Sequence, residues 1–358
     1  MNRSSPSSST TSFSFRLPSE LIAKEPPERR GIARDEVKLM VINRKNYQID
    51  HARFYSLGRF LRPGDLLVFN ASRTLPAVLN GSNPLVNSPI EVRLAEHLPD
   101  DSWLALVRCK KDDPSSCRVQ RGMQINFGHG LTGTVYDRDN NIYRLWKIYF
   151  SKSGAELMEL LYRHGQPVRY EYLSAPWDLD YYQTIYAREP GSAEMPSAGR
   201  AFTWKLLFDL KRSGVDSAYI VLHTGLSSYM DDTLDAKHLA SEEEYFISEA
   251  AAAKINMTHS NGGRVIAVGT TVVRALESGV EATTGKATAM HGYTRLHITA
   301  THMLKTVNGL LTGLHEPEAS HLDLLTAFIP AQKIHEAYDQ AIKRKYLWHE
   351  FGDLNLIL

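Results

Sequence analysis

Between Ala71 and Phe150 the chain carries a succession of short strand patterns with turn residues between them and no helical pattern. This block constrains the fold more than any other feature. Ile90-Glu91-Val92-Arg93-Leu94 alternates apolar and charged residues, which gives a strand one buried and one wet face. Ser102 to Val107, Met123 to Phe127 and Gly133 to Tyr136 are similar in length, and Ile142 to Phe150 is strand-like and rich in aromatics. Asp112-Asp113-Pro114, Gly128-His129-Gly130 and Asp139-Asn140-Asn141 supply turns. Closely spaced strands without intervening helices predict a small antiparallel barrel or sandwich.

The flanking segments read differently. Pro63-Gly64-Asp65 is a turn and Leu66 to Phe69 an apolar strand. After Ala155, helices and strands alternate. Thr203 caps a helix whose Leu206, Leu207 and Leu210 share a face, and Gly214 stops it. Tyr219 to Leu222 is a strand ending at His223. Ser241-x-x-Glu244 has the spacing of a capping box, with the Ala-rich run to Lys254 as its helix. Leu296-His297-Ile298 reads as a strand, and Leu322 to Phe328 and Ile334 to Lys345 as helices. The expected fold is a mixed α/β main domain, 13–70 plus 155–358, with a small antiparallel β-barrel inserted at 71–154. The Ser/Thr-rich residues 1–12 read as a disordered tail.

Gly262 to Glu277, G-G-R-V-I-A-V-G-T-T-V-V-R-A-L-E, places candidate ligand groups on that frame. Val265 to Val268 suits a buried strand, Gly269 allows a sharp turn, and Thr270 or Thr271 can cap the helix that follows. Arg274 and Glu277 lie one turn apart on it, as a site pair or a surface ion pair. Polar groups at the carboxyl end of a strand and the start of a helix are where α/β proteins put ligands.

The formal net charge of +1 over 358 residues leaves no global nucleic-acid signature, so RNA binding requires a local patch. Lys110, Lys111, Arg118 and Arg121, and Lys343, Arg344 and Lys345, are the candidates, or else simply solvated faces. The two cysteines, Cys109 and Cys117, make no disulfide framework and no zinc spacing, which suits a reducing cytoplasm. No metal is expected. No apolar run reaches the length of a membrane span, and the opening residues lack the apolar core of a secretory signal.

Several segments in one order resemble the S-adenosylmethionine:tRNA ribosyltransferase-isomerase family of queuosine biosynthesis. They are F-S-F-R-L-P-S-E-L-I-A-K-E-P, P-G-D-L-L-V-F-N-A-S-R-T-L-P-A, H-G-Q-P, Y-Q-T-I-Y-A-R-E-P-G-S-A-E-M-P-S-A-G, G-R-V-I-A-V-G-T-T-V-V-R-A-L-E-S, H-E-P-E-A-S and F-G-D, spanning Phe13 to Leu358. The resemblance implies an α/β domain with an inserted barrel. It implies transfer of the ribosyl part of S-adenosylmethionine onto 7-aminomethyl-7-deazaguanine in the tRNA anticodon, giving epoxyqueuosine, adenine and methionine. Such chemistry needs a base for a proton beside the sulfonium, an acid for the leaving adenine, and groups that steady shifting charge. The departures are serious: Ala201 stands where the family has a histidine, Ser227-Ser228-Tyr229 replaces glycine-threonine-phenylalanine, and Gly313-Leu314-His315-Glu316-Pro317-Glu318-Ala319-Ser320 stands where the family has N-F-H-L-P-x-S-T. A different small acceptor for the same sulfonium substrate, or a non-catalytic RNA- or nucleoside-binding protein, are the alternatives.

The resemblance carries candidate roles onto particular residues. His223, Glu277 and His315 are the expected catalytic groups, although a core histidine or a loop histidine would need no such role. Arg73, Ser197, Gly199, Gly225, Gly269, Thr270, Thr271, Arg274, Glu318 and Asp353 are the expected substrate contacts. Arg73 equally suits an ion pair at a hinge, and Asp353 equally suits a brace for the carboxyl terminus. Ser197-Ala198-Gly199 reads as a loop that admits a ligand close to the backbone, or as a plain connection.

Overall fold

Alternation of apolar residues on two faces of each central strand sets the main layer. In a computed structural model, which describes residues 15–85, 88–109, 118–170, 172–230, 242–317 and 319–358, that layer is one large sheet. Residues 1–12, Phe13, Lys110, Lys111, the expected Asp112-Asp113-Pro114 turn, Cys117, Ser241 and Glu318, named above, lie outside the described residues. The first strands are β1 (Lys38–Ile42), β2 (Ile49–Arg53), β3 (Leu66–Asn70) and β4 (Ser72–Thr74). Next come β5 (Val78–Asn83), β6 (Ser88–His97), β7 (Trp103–Cys109), β8 (Gln124–Gly128), β9 (Leu131–Arg138) and β10 (Leu145–Phe150). Helix α1 (Gly154–His164), β11 (Glu189–Ser192), α2 (Trp204–Arg212), β12 (Asp216–Leu222) and β13 (Glu243–Ile247) follow. The remainder is α3 (Glu249–Ser260), β14 (Val265–Val268), α4 (Thr270–Ser278), β15 (Met290–Thr294), β16 (Gly309–Gly313), α5 (Ser320–Thr326), α6 (Ala331–Lys343) and β17 (Leu354–Ile357).

The sheet has nine strands in the order β15-β13-β12-β3-β14-β16-β17-β1-β2. β3 pairs in parallel with both β12 and β14, and β14 with β16. Met40, Ile42, Leu66 and Val68 pack into one core layer, while Leu39, Val41, Leu67 and Phe69 pack into the layer on the other face. Two buried faces are what the parallel centre of this mixed sheet requires. Asp65, with a fully buried side chain, receives the Arg264 guanidinium at 2.5 Å and ties the starts of β3 and β14 together.

The block from Val78 to Phe150 closes into a six-stranded barrel, ordered β10-β7-β6-β5-β8-β9, as the clustered strands predict. Its core includes Ile90, Val92, Leu94, Ile125, Val135 and Ile148, each 0% exposed. β4 and β11 form a two-stranded parallel ribbon beside it. Cys109 is disulfide-bonded, where a reducing compartment predicts thiols.

Four local expectations change. Glu243 to Ile247 is strand β13, not the start of a helix, because Tyr245 and Ile247 alternate into the core while the backbone pairs with β12 and β15. The helix expected from Ser241 begins at Glu249, where the Ser248 side chain accepts from the Ala251 N–H at 3.2 Å. Leu296 to Ile298 forms no strand, and the Leu296 carbonyl instead accepts from Arg274 Nε at 3.0 Å. Neither Thr270 nor Thr271 caps α4, since its N-cap is Gly269 at φ +99°, a conformation only glycine adopts without strain.

Candidate functional site

β3, β12, β14 and β16 deliver their carboxyl ends to one edge of the sheet, the edge where open α/β sheets collect ligands. Two hollows lie along it. The larger, a cleft of about 480 Å³ open to solvent, separates the barrel from the sheet. The barrel side contributes Ala95, Glu96, His97 and Trp103, and α1 contributes Met158. The sheet side contributes Gly191, His223, Gly225 and Glu242-Glu243-Glu244.

The position of His223 follows from a clamp between adjacent strand ends. The Asn70 side chain donates to the Leu222 carbonyl at 2.8 Å and accepts from the Leu222 N–H at 3.0 Å, binding the end of β3 to the end of β12. The same oxygen accepts from the Ser72 N–H at 3.0 Å. Ser72 Oγ then lies 2.8 Å from His223 Nδ1 and 2.6 Å from Ser192 Oγ. A Cβ on Gly191 would sit 2.4 Å from the His223 ring, so glycine alone lets β11 run against the imidazole. Burial lowers the His223 pKa, His97 and His291 lower it further, and Glu244 and Glu189 oppose them. The imidazole is therefore neutral at pH 7, anchored through Nδ1, and Nε2 is the nitrogen left for a ligand.

The cleft is acidic. The Arg274 guanidinium pairs with Glu243, His291 lies 2.6 Å from Glu244, and Arg295 lies 3.2 Å from Glu242. The Glu96 side chain makes no hydrogen bond or ion pair among the described residues. Burial first, then the carboxylates of Glu242, Glu243 and Asp139, push its pKa up to about 7, with Arg295 opposing. A concave acidic wall with an apolar side of Trp103 and Met158 suits a cation carried on an organic body.

The second hollow, about 300 Å³, is lined by Arg34, Ser197, Arg200, Ala201, Gly313 and Glu350, among others. Arg200, 3% exposed, donates to Glu28 at 2.8 Å and to the Tyr181 carbonyl at 2.7 Å. Burial pushes the Glu350 pKa up to about 7, and one of its carboxyl oxygens has no partner.

The structure brings His223 and Gly225 together in the cleft, with Arg274 behind Glu243. Thr271 Oγ1 meets the Asn70 amide at 3.5 Å, close behind the clamp, while Thr270 is buried at the start of α4. Arg73 stacks over Tyr162 of α1 at 5.6 Å, at the junction with the barrel. Ser197 reaches only the second hollow, and a Cβ on Gly199 would lie 1.8 Å from Tyr186 Oη, which explains that glycine without a ligand. Glu277 is away from both hollows. Its carboxylate accepts from the N–H groups of Lys305, Thr306 and Val307 at 3.0, 3.0 and 3.2 Å. His315 is half-buried, stacked on His321 at 4.6 Å and hydrogen-bonded to Thr312 at 3.0 Å, and desolvation holds its pKa well below the usual histidine value. Asp353 braces the carboxyl terminus, accepting from Lys38 N at 2.6 Å and Leu347 N at 2.7 Å. Glu96 and Glu243 carry no sequence signal, whereas Ser72 and Ser192 lie inside family-like segments. Among the described residues no group of three metal-ligating side chains converges, and no helix is long and apolar enough to cross a membrane.

The fold is a barrel set beside an open α/β sheet, with an acidic cleft between them at the strand ends. The sequence pattern of the queuosine biosynthesis protein family matches residues 10–357. Among solved structures, an S-adenosylmethionine tRNA ribosyltransferase from Thermotoga maritima is similar, at 30% identity and a TM-score of 0.54, covering 96% of this chain and 99% of that one. The chain belongs to the queuosine biosynthesis family.

Proposed function

We propose that the protein moves the ribosyl part of S-adenosylmethionine onto 7-aminomethyl-7-deazaguanine in tRNA and rearranges it, giving epoxyqueuosine and releasing adenine and methionine. The family membership and the likeness to the Thermotoga ribosyltransferase support the substrates. The observation that carries the reading is His223, anchored through Nδ1 by Ser72 and lining an acidic cleft at the strand ends. Both the sulfonium and the ammonium of S-adenosylmethionine gain from the Glu242-Glu243-Glu244 wall. His223 Nε2 is the base for the proton beside the sulfonium, whose positive charge acidifies that C–H. Ser72 and Ser192 hold the ring in one tautomer as it works.

The exposed Arg118 and Arg121 on the barrel, and Lys343, Arg344 and Lys345 at the end of α6, are the groups we assign to tRNA phosphates. Their contribution falls as salt rises. A tRNA-modifying role favours the cytoplasm, a setting in which the Cys109 disulfide would be reduced. Incubation with S-adenosylmethionine and tRNA bearing the aminomethyl base tests the proposal, with free adenine as the readout. Stoichiometric adenine supports it. Folded protein that binds both substrates and releases none overturns it.

A further inference from the structure

Glu96 should not face the cleft at all on a simple reading of its strand. In β6 the even-numbered residues Ile90, Val92 and Leu94 point into the barrel and are 0% exposed. Unbroken alternation would send Glu96 in after them. It does not go there. The pairing of β6 with β7 shifts between Leu94 and Glu96: Leu94 opposes Ala105, and Glu96 already opposes Leu104. Ala95 is the extra residue of a bulge, and it turns the next side chain out of the barrel and into the cleft. Burying a carboxyl in the barrel core would be costly, so the bulge protects folding as well as aiming the group.

The turned-out carboxyl is left uncommitted. Its neighbours on every side are spoken for. Glu242, Glu243 and Glu244 have Arg295, Arg274 and His291, and His97 has Asp101 at 2.9 Å. Asp139 accepts from its own turn at Asn141 and Ile142. Trp103 lines the same cleft, is 2% exposed, and has an indole N–H with no partner. His223 lines it from the sheet side.

We propose that Glu96, supplied by the barrel, is the proton donor of the cleft, working opposite His223 in the reaction assigned above. This rests on that assignment. As the ribosyl C–N bond breaks, its electron pair passes to adenine, and the adenine nitrogen takes the carboxyl proton. Glu96 is left as carboxylate and regains a proton from solvent. His223 separately accepts the proton beside the sulfonium. Two groups that start uncharged end as an ion pair, so no net charge is added to the cleft. The barrel thereby completes the reacting centre as well as offering a surface to RNA.

The two pKa values, one raised toward 7 and one lowered, bracket the range in which both groups hold the required form. Glu96 must be protonated, so turnover falls as pH rises through about 7. His223 must be neutral, so turnover falls again on the acid side.

The test compares wild type, Glu96→Gln and Glu96→Asp for adenine release between pH 5.5 and 9, alongside calorimetric titration with S-adenosylmethionine and a check of folding by circular dichroism. For Glu96→Gln we expect a loss of kcat of about 100-fold or more, the alkaline limb abolished, and binding within a few-fold of wild type. Glu96→Asp should restore part of kcat together with the alkaline limb. An unchanged profile in Glu96→Gln, or a wild-type rate that climbs through pH 7, overturns the role of Glu96 while leaving the assigned reaction standing. No adenine from folded wild type overturns the assigned reaction, and this proposal with it.

Discussion

Substitution of Glu277 separates a structural carboxylate from a catalytic one. Its side chain is fully buried, and it accepts three backbone N–H groups from the 305–307 segment that leads into β16, with His302 Nε2 a further 3.4 Å away. Alanine would leave those donors without partners in a dry site. Each unsatisfied buried donor costs about 1–3 kcal/mol, and partial relaxation keeps the sum below the simple total. The expected cost of Glu277→Ala is about 3–5 kcal/mol, within the range for breaking a buried charged network. Glutamine keeps one carbonyl acceptor, so Glu277→Gln should cost about half as much. Native-state hydrogen exchange reads this locally. The Thr306 and Val307 amides should exchange about 10²-fold faster in the alanine variant, because 3 kcal/mol of opening energy is slightly more than two decades. The same amides protected as in wild type, with stability within 0.5 kcal/mol and adenine release abolished, would refute the reasoning and return Glu277 to the reacting centre.

Gly199→Ala places a Cβ 1.8 Å from Tyr186 Oη, so it should destabilise by about 1–3 kcal/mol, and Tyr186→Phe in the same chain should recover much of that loss in a double-mutant cycle. Gly191→Ala drives a Cβ into the His223 ring and should lower kcat by about tenfold or more with the fold retained, read by adenine release and circular dichroism. Glu350 has its folded pKa raised from the ordinary 4.5 to about 7, so its stabilising share is fully present below pH 4.5 and is lost as pH rises through about 7. The shift corresponds to about 3 kcal/mol. Glu350→Gln should flatten that part of the stability–pH curve, measured by denaturant titration at pH 5 and pH 8.

The barrel and the central strands were legible because burial on one face writes itself as alternation, and burial on both faces as an apolar run. Ile90 to Leu94 and Val265 to Val268 are the clearest examples. Segments failed where a local pattern had two meanings. The Glu244 expected to close a capping box belongs instead to a strand held by pairing with β12 and β15, partners that lie far away in sequence. The partners of candidate site residues were hidden for a related reason. Arg274 and Glu277 look like an ion pair at their spacing, yet Arg274 pairs with Glu243 and Glu277 serves backbone amides. Glu96 was invisible because a bulge decides its direction, and no residue type announces that bulge. His223 stands just past the end of β12, as the strand pattern predicts.

The most direct measurement is a crystal structure with S-adenosylmethionine bound to the full chain. The sulfonium should lie in the barrel–sheet cleft, between Glu96 and His223 Nε2, with the methionine ammonium toward Glu242-Glu243-Glu244. The ligand seated instead in the hollow of Arg200 and Glu350, with the cleft vacant, would contradict the assignment of the reacting centre.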